Sequence, residues 1–380
     1  MSDVVIIADD LTGALDAAAP FAARGAVTQA VTSLSALQGM SAGSAPNVVA
    51  ITTESRHLPA ERAASRVAEA IEAASCLKPE LWIKKVDSTL RGQVAAECLS
   101  ANRHLSRALL VAPAVPSQGR TVSQGCVFVH GEPLETTAYV SDACSPAPGG
   151  DLVALFEAVG LPMTRCASAD MASDGMNCVI DADDATTLDA IADVALSAAG
   201  HWLAVGASGL TEAVARQRYG TLKHGSAWSP EGWVVAMGSR SPQARRQIAS
   251  CRVAFPKLPV IKALEPQAAL PSGDALVIPG EAVGEWSATD VASRMAEVLV
   301  DGDARNPQPG RVWCVSGGDT AMAVLARYGA ERIEVVGEWA PGMVCGYIDG
   351  NQPLVTKAGG FGDDGVLAAL YRHTTKVADV

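Results

Sequence analysis

Short apolar runs that end in small or polar residues, each followed by an amphipathic stretch, recur along almost all of the 380 residues. No other feature limits the possible folds as strongly. VVIIA (4–8) reads as a buried strand. Thr12 to Arg24 reads as a helix with Ala14, Ala17, Ala18, Phe21 and Ala22 on one face, stopped by Gly25. NVVAITTE (47–54), ALLVAP (108–113), CVIDAD (178–183) and WLAVGAS (202–208) read as further strands, and Pro59 to Ala74 as a second helix. LWIKKVD (81–87) reads as a strand leading into a helix that runs through Asn102, and VFVHGEPL as a hairpin. Alternation of this kind predicts a mostly parallel sheet with helices on both faces.

The rhythm breaks at YGTLKHGSAWSPEG (219–232), which has the Gly, Ser and Pro content of a linker. A second series follows: WVVAMGS, a helix, LPVIKAL, DALVIPG, a helix from about Thr289, RVWCVSGGD, another helix and a closing segment. The expected architecture is therefore α/β. It comprises two α/β domains, 1–225 and 230–380, with a boundary near residue 228, mostly parallel sheets flanked by helices, and an active-site cleft between them.

Composition removes several function classes. The net charge is −12, against the basic face of a nucleic-acid binder. The nine Cys form no C-x-x-C pair, and no H-E-x-x-H occurs, so no zinc site is expected. No apolar run approaches the ~18 residues of a membrane span, and MSDVVIIADD lacks a basic leader region. The expectation is a soluble cytoplasmic protein.

Near the end, GGFGDDG (359–365) has the G-x-G-x-x-G spacing of a dinucleotide-binding loop. Its context is wrong, because that fingerprint needs a following βαβ half and an acidic residue ~20 positions on. Only fifteen residues follow Gly365. Asp363 and Asp364 would also repel a pyrophosphate unless a metal lay between them. The same half repeats the strand–glycine–helix design twice more. Gly238-Ser239-Arg240-Ser241 precedes Pro242 at a first helical position, and Ser316-Gly317-Gly318-Asp319-Thr320 opens another helix. Glycines let backbone amides approach a ligand, and helix N-termini favour anions. Three such loops at strand ends could converge on one crevice, or be three ordinary turns. No G-x-x-x-x-G-K-[ST] is present. Lys357, before the last loop, could neutralise phosphate or be a solvated strand-end lysine.

The first half carries charge at its strand ends. IIADDLTGA (6–14) places Asp9 and Asp10 after the first strand, with Asp10 or Thr12 able to cap the helix. Two adjacent carboxylates there also suit a general base, a hydroxyl orienter or a metal ligand. WIKKVDSTLRGQ (82–93) is a local basic spot. Alternation puts Lys85 and Asp87 on one face and Lys84 on the other, Ser88 and Thr89 begin a helix, and Arg91 in its first turn could grip a carboxylate. The plainer alternative makes Asp87 or Ser88 a cap and Arg91 a surface residue. TTESRH (52–57) adds Arg56 and His57. One half thus suits a small polyhydroxy acid and the other suits phosphate, which describes a two-domain small-molecule kinase. The rivals are an NAD-dependent hydroxy-acid dehydrogenase and a non-catalytic sugar-acid sensor.

IADDLTGALDAA, TTESRHL, KKVDSTLRGQ, APAVPSQGRTVSQG, VGASGLTEA, MGSRSPQ, SGGDTA and VTKAGGFGDDGVL, in this order over nearly the whole chain, resemble the four-carbon acid sugar kinases. The resemblance implies an N-terminal sugar-acid-binding domain and a C-terminal nucleotide-binding domain. It implies ATP-dependent phosphorylation of the 4-hydroxyl of D-threonate, D-erythronate or a 3-oxo-tetronate, and phosphoryl transfer of this kind leads us to expect Mg²⁺ on the phosphates. By motif it assigns Asp9, Asp10, Arg56, Lys85, Val86, Asp87, Ser88 and Arg91 to the acid. It assigns Ser239, Arg240, Ser241, Gly317, Gly318, Asp319, Thr320, Gly359, Gly360, Gly362 and Asp363 to ATP. Asp10, Asp87 and Arg91 are the expected catalytic residues, no metal ligand is assigned, and a homodimer is possible. KKVDSTLRG looks more like the D-threonate and D-erythronate kinases than the 3-oxo-tetronate kinases. YVSDACSPAPGG (139–150) departs from the family's D-P-x-x-P-like segment, keeping only Asp142 and Pro146.

Overall fold

The computed structural model describes residues 1–38, 40, 43–141, 146–223, 230–281 and 286–375. The chain divides into two compact units, Met1–Lys223 and His224–Val380. The boundary expected near residue 228, like Asp142, lies outside the described residues.

The sheet of the first unit contains β1 (Val4–Ala8), β2 (Thr28–Val31), β3 (Val48–Thr52), β4 (Leu81–Lys85), β5 (Ala108–Ala112), β9 (Thr164–Cys166), β10 (Cys178–Ile180) and β11 (Trp202–Gly206). Its order is β2-β3-β1-β4-β11-β5-β10-β9, and every neighbouring pair is parallel. A small antiparallel sheet joins β6 (Arg120–Ser123), β7 (Cys126–Val129) and β8 (Glu132–Pro133), confirming the hairpin in VFVHGEPL. The crossovers and flanking helices are α1 (Leu11–Ala22), α2 (Ala60–Ala74), α3 (Val94–Leu105), α4 (Leu152–Glu157), α5 (Ala185–Ser197) and α6 (Ser208–Tyr219). β1 and β3 are buried along their whole length, which explains their unbroken apolar or β-branched sequences, whereas β4 is equally buried but carries Lys84 and Lys85. From β1 the chain turns toward β2, whereas from β4 it turns toward β5. The order therefore reverses between β1 and β4, where ligands settle in open α/β sheets.

The second unit holds β12 (Gly232–Met237), α7 (Pro242–Ala254), β13 (Val260–Lys262), β14 (Ala275–Ile278), α8 (Ala288–Ala296) and α9 (Gly302–Arg305). They are followed by β15 (Arg311–Ser316), α10 (Gly318–Tyr328), β16 (Arg332–Ala340), β17 (Met343–Ile348), β18 (Gln352–Lys357) and α11 (Val366–Thr375). β13-β14-β12-β15-β18 run parallel, and the order reverses between β12 and β15. β17 and β16 then continue the sheet antiparallel. The sequence reading folded this hairpin into an unspecified closing segment. Trp233, Met237, Cys314, Val355, Leu367 and Tyr371 form part of the core between this sheet and α7 and α11.

Candidate active site

At the end of β1, Asp10 is the N-cap of α1. Its Oδ1 accepts from the Gly13 amide at 2.7 Å and its Oδ2 from the Thr12 hydroxyl at 2.8 Å. Asp9 has another task. Arg56, just past β3, donates Nε to Asp9 Oδ2 at 2.7 Å and Nη2 to Oδ1 at 2.8 Å, and its Nη1 reaches Asp10 Oδ2 at 2.6 Å. One guanidinium thus holds both carboxylates. Burial opposes the charge on Asp9, but Arg56 outweighs it and keeps the carboxyl below its ordinary range. Arg56 itself is pushed up by Asp9 and Asp10 against the cost of its burial.

The loop after β4 corrects the sequence reading. α3 starts at Val94, so Ser88, Thr89 and Arg91 are not in a helix. Asp87 Oδ2 accepts the Thr89 amide at 3.0 Å and also the Thr89 hydroxyl, and the Leu90 amide closes on the Asp87 carbonyl at 3.0 Å. This side-chain turn competes with helix, and Leu90 then takes φ 60°. Asp87 lies beyond the end of β4, so strand alternation does not set its direction. Arg91 pairs with Asp87 through Nε at 3.1 Å and Nη2 at 2.8 Å. Despite burial, Arg91, Arg56 and Thr89 hold Asp87 far below the usual carboxylate range. Gly92, at φ 89°, brings the loop against the first pair: a Cβ there would lie 2.9 Å from Asp9 Oδ2 and 3.5 Å from Arg56 Cγ. The structure therefore brings together Asp9, Asp10, Arg56, Asp87 and Arg91. Ser88 is half-buried in the turn, and the Val86 side chain is in the core with its amide on the Gly206 carbonyl at 3.0 Å.

The two lysines of β4 face opposite ways, as alternation requires. Lys85 Nζ lies 3.6 Å from Asp16 Oδ2 and donates to the Val86 carbonyl at 3.3 Å. Lys84 Nζ lies 2.8 Å from Glu97 Oε2 in a solvent-free pair. Glu97 Oε1 accepts the Ser55 hydroxyl at 2.7 Å, and the Ser55 amide donates to the Asp9 carbonyl at 2.9 Å, so this pair underpins the segment that carries Arg56. Sequence reasoning missed Glu97 and also Glu54. Glu54 Oε1 accepts the Leu11 amide at 2.9 Å and the Thr52 hydroxyl at 2.5 Å. Part of Glu54 stays open to solvent, yet burial of its carboxyl and the charges of Asp10 and Asp9 push it up to about 7. An acid wedged into TTESR beside a basic residue was the available signal.

In the second unit the three glycine loops meet at the ends of β12, β15 and β18. The Gly238 and Ser239 amides each donate to the Ser316 carbonyl at 3.1 Å, and the Gly317 amide donates to the Lys357 carbonyl at 3.1 Å. Ser241 caps α7, accepting from the Ala244 amide at 3.1 Å, and donates to the Gly359 carbonyl at 2.9 Å, with Pro242 at the first helical position as expected. The contacts are close enough to demand glycine. A Cβ on Gly238 would lie 1.9 Å from Thr320 Oγ1, and one on Gly359 would lie 2.4 Å from Ser239 Oγ. Thr320 is buried, whereas Arg240, Asp319, Gly360 and Asp363 are exposed at the loop rims. Gly318 has open space where a Cβ would stand, and Gly362 takes φ 81°. Lys357 is not the solvated lysine the sequence allowed. It is fully buried, its Nζ donates to the Ala358 and Gly359 carbonyls at 3.1 and 3.4 Å, and burial lowers it to about 8. β18 leads straight into the last loop and α11.

Side-chain carboxylates and guanidiniums thus gather at one switch point, and glycine loops at another. A family model described as a sugar-binding N-terminal domain matches residues 4–214, and one described as a nucleotide-binding C-terminal domain matches 280–367. The chain is 31% identical over 432 residues to a D-threonate kinase of Salmonella typhimurium, covering 97% of each chain. It belongs to the four-carbon acid sugar kinase family. Its fold is shared by a Haemophilus influenzae crystal structure, with a TM-score of 0.76 at 20% identity, covering 98% of this chain and 99% of that one. A Bordetella bronchiseptica protein crystallised as a domain-swapped dimer with bound citrate matches at a TM-score of 0.52 and 28% identity, covering 98% of both chains. Membership makes the chain a sugar-acid kinase and sets aside the dehydrogenase and sensor readings. Among the described residues, no helix is long and apolar enough to cross a membrane.

Proposed function

We propose that the protein transfers the γ-phosphoryl group of ATP to the 4-hydroxyl of D-threonate, with D-erythronate as the next acceptor and a 3-oxo-tetronate behind both. The observation that carries this reading is the joint grip of Arg56 on Asp9 and Asp10 beside the Asp87–Arg91 pair. It presets hydroxyl acceptors and a cation at the strand ends where ligands settle. The unit Met1–Lys223 then binds the acid and the unit His224–Val380 binds the nucleotide. Arg91, whose side chain is 31% exposed, receives the acid's carboxylate. Asp9, Asp87 and Asp10 orient the hydroxyls, and Asp10 takes the proton of the attacking one. A carboxylate suffices there, because a loose transition state needs little proton transfer early.

ATP supplies the phosphoryl group and Mg²⁺ neutralises its charge. Among the described residues no group of three potential metal-binding side chains is assembled. Mg²⁺ brought in on phosphates would need only one or two carboxylates, for which Asp319 and Asp363 stand at the loop rims. We further propose a homodimer, supported by the dimeric Bordetella relative, and a cytoplasmic location, supported by eight free cysteines among the described residues. The test is ADP release with Mg²⁺-ATP against D-threonate, D-erythronate, L-threonate and a 3-oxo-tetronate, with the phosphorylated position read by NMR. Turnover on D-threonate giving the 4-phosphate is expected. Absence of turnover with every acid would end the proposal.

A further inference from the structure

The last glycine loop is built with its carbonyl oxygens tied inward. Lys357 Nζ holds those of Ala358 and Gly359, and Ser241 Oγ also holds that of Gly359. Gln247 Nε2, from α7, reaches the carbonyls of Phe361, Gly362 and Asp363 at 2.9, 3.0 and 3.0 Å, and Gln243 Nε2 reaches Gly362 at 2.7 Å. In a trans peptide the N–H points opposite to the preceding C=O, and among the described residues no peptide bond is cis. Tying these five carbonyls inward therefore turns the amides of Gly359, Gly360, Gly362, Asp363 and Asp364 the other way. Among the described residues none of those five amides donates to a protein acceptor. Successive outward amides form a concave anion receptor.

The two carboxylates that seemed to forbid phosphate are engaged by the chain. Asp363 Oδ1 accepts the Gly365 amide at 2.8 Å, and Asp364 Oδ1 accepts Gln243 Nε2 and Arg246 Nε at 3.1 and 3.2 Å. Gln247 is the unusual member of the set. It is fully buried on the face of α7 that also carries Ala244 and Cys251, and its Oε1 has no hydrogen-bond partner. A buried orphan acceptor is destabilising, a penalty that an apolar side chain of the same length would avoid. Core packing therefore does not account for glutamine here, and the three loop carbonyls do.

We propose that Gln247, assisted by Lys357, is a positioning residue that fixes the 358–364 loop in a carbonyl-in, amide-out state and so makes it the receptor for the donor nucleotide's polyphosphate. This rests on the kinase reading above. The experiment measures Mg²⁺-ATP affinity by calorimetry for the wild type, Gln247→Met and Gln243→Ala. It also measures hydrogen exchange of the wild-type peptide covering 358–365 with Mg²⁺-ATP, inorganic tripolyphosphate or adenosine. Gln247→Met should raise the ATP Kd and KM about tenfold, and Gln243→Ala about threefold, while the KM of the acid stays unchanged. ATP and tripolyphosphate should both protect the peptide, and adenosine should not. A wild type that binds no ATP overturns the kinase reading itself. A wild type that binds ATP, with no protection of the peptide, overturns only this inference, whether or not the variants fold. An unchanged ATP Kd in folded Gln247→Met does the same.

Discussion

Lys84 and Glu97 face each other at 2.8 Å with both side chains sealed from solvent, and Glu97 passes the restraint to Ser55, one residue before Arg56. Breaking a buried pair strands the surviving charge, at about 3–5 kcal/mol. Glu97→Ala should lower stability by roughly that amount, measured by urea unfolding. Replacing both partners, in Lys84→Met with Glu97→Leu, should recover much of the loss. A single variant as stable as the wild type would show that the pair carries no such weight.

Arg56 spans two carboxylates with a planar fork that lysine cannot reproduce. Arg56→Lys should raise the KM of the acid at least tenfold and leave the Kd for Mg²⁺-ATP unchanged. Initial-rate kinetics with calorimetry separate the two. An unaltered KM would remove Arg56 from acid recognition.

Glu54 gives stability a pH dependence of unusual sign. Its carboxyl titrates near 7 in the folded chain against the ordinary 4.5. Between those values the folded chain keeps a proton that the unfolded chain has lost, so this group's contribution falls as pH rises across the window. Glu54→Gln keeps an oxygen for the Leu11 amide and does not titrate. It should gain stability relative to the wild type between pH 5 and pH 8, read from urea midpoints. Parallel pH profiles for the two proteins would show that Glu54 is ionised like any surface glutamate.

Glycines of the nucleotide loops should divide sharply. A methyl on Gly238 runs into Thr320, whereas a Cβ on Gly360 meets nothing within 4 Å. Gly238→Ala should lower stability by about 1–3 kcal/mol through overpacking and weaken nucleotide binding. Gly360→Ala should leave the thermal midpoint in place. Equal behaviour of the two would contradict the packing described.

The strands and crossover helices were legible because β1, β3 and β12 are buried throughout and written in apolar runs, and the buried β4 and β15 hold the apolar stretches LWI and VWCV. β16 was not, because its burial is mixed and charged residues interleave its apolar ones, and β17, though nearly all buried, falls in the same closing segment. The charged residues of the acid site were visible as types, but their pairings were not. Arg56 meets Asp9 across 47 positions of sequence, and Asp87 bends its own loop away from helix. Gln247 left a trace that a periodic reading can use, a polar residue on an otherwise buried helical stripe.

Two amides in the first turn of α1 are answered from within the chain, Leu11 by Glu54 and Gly13 by Asp10. On the proposed reading, an incoming acid in that unit would meet side chains, while a phosphate at the last glycine loop would meet main chain. The two halves should therefore drift differently under mutation. Acceptor preference can be rewritten one substitution at a time, because each contact has a residue identity to change. The donor end has almost no such alphabet, so altering it means reshaping a backbone.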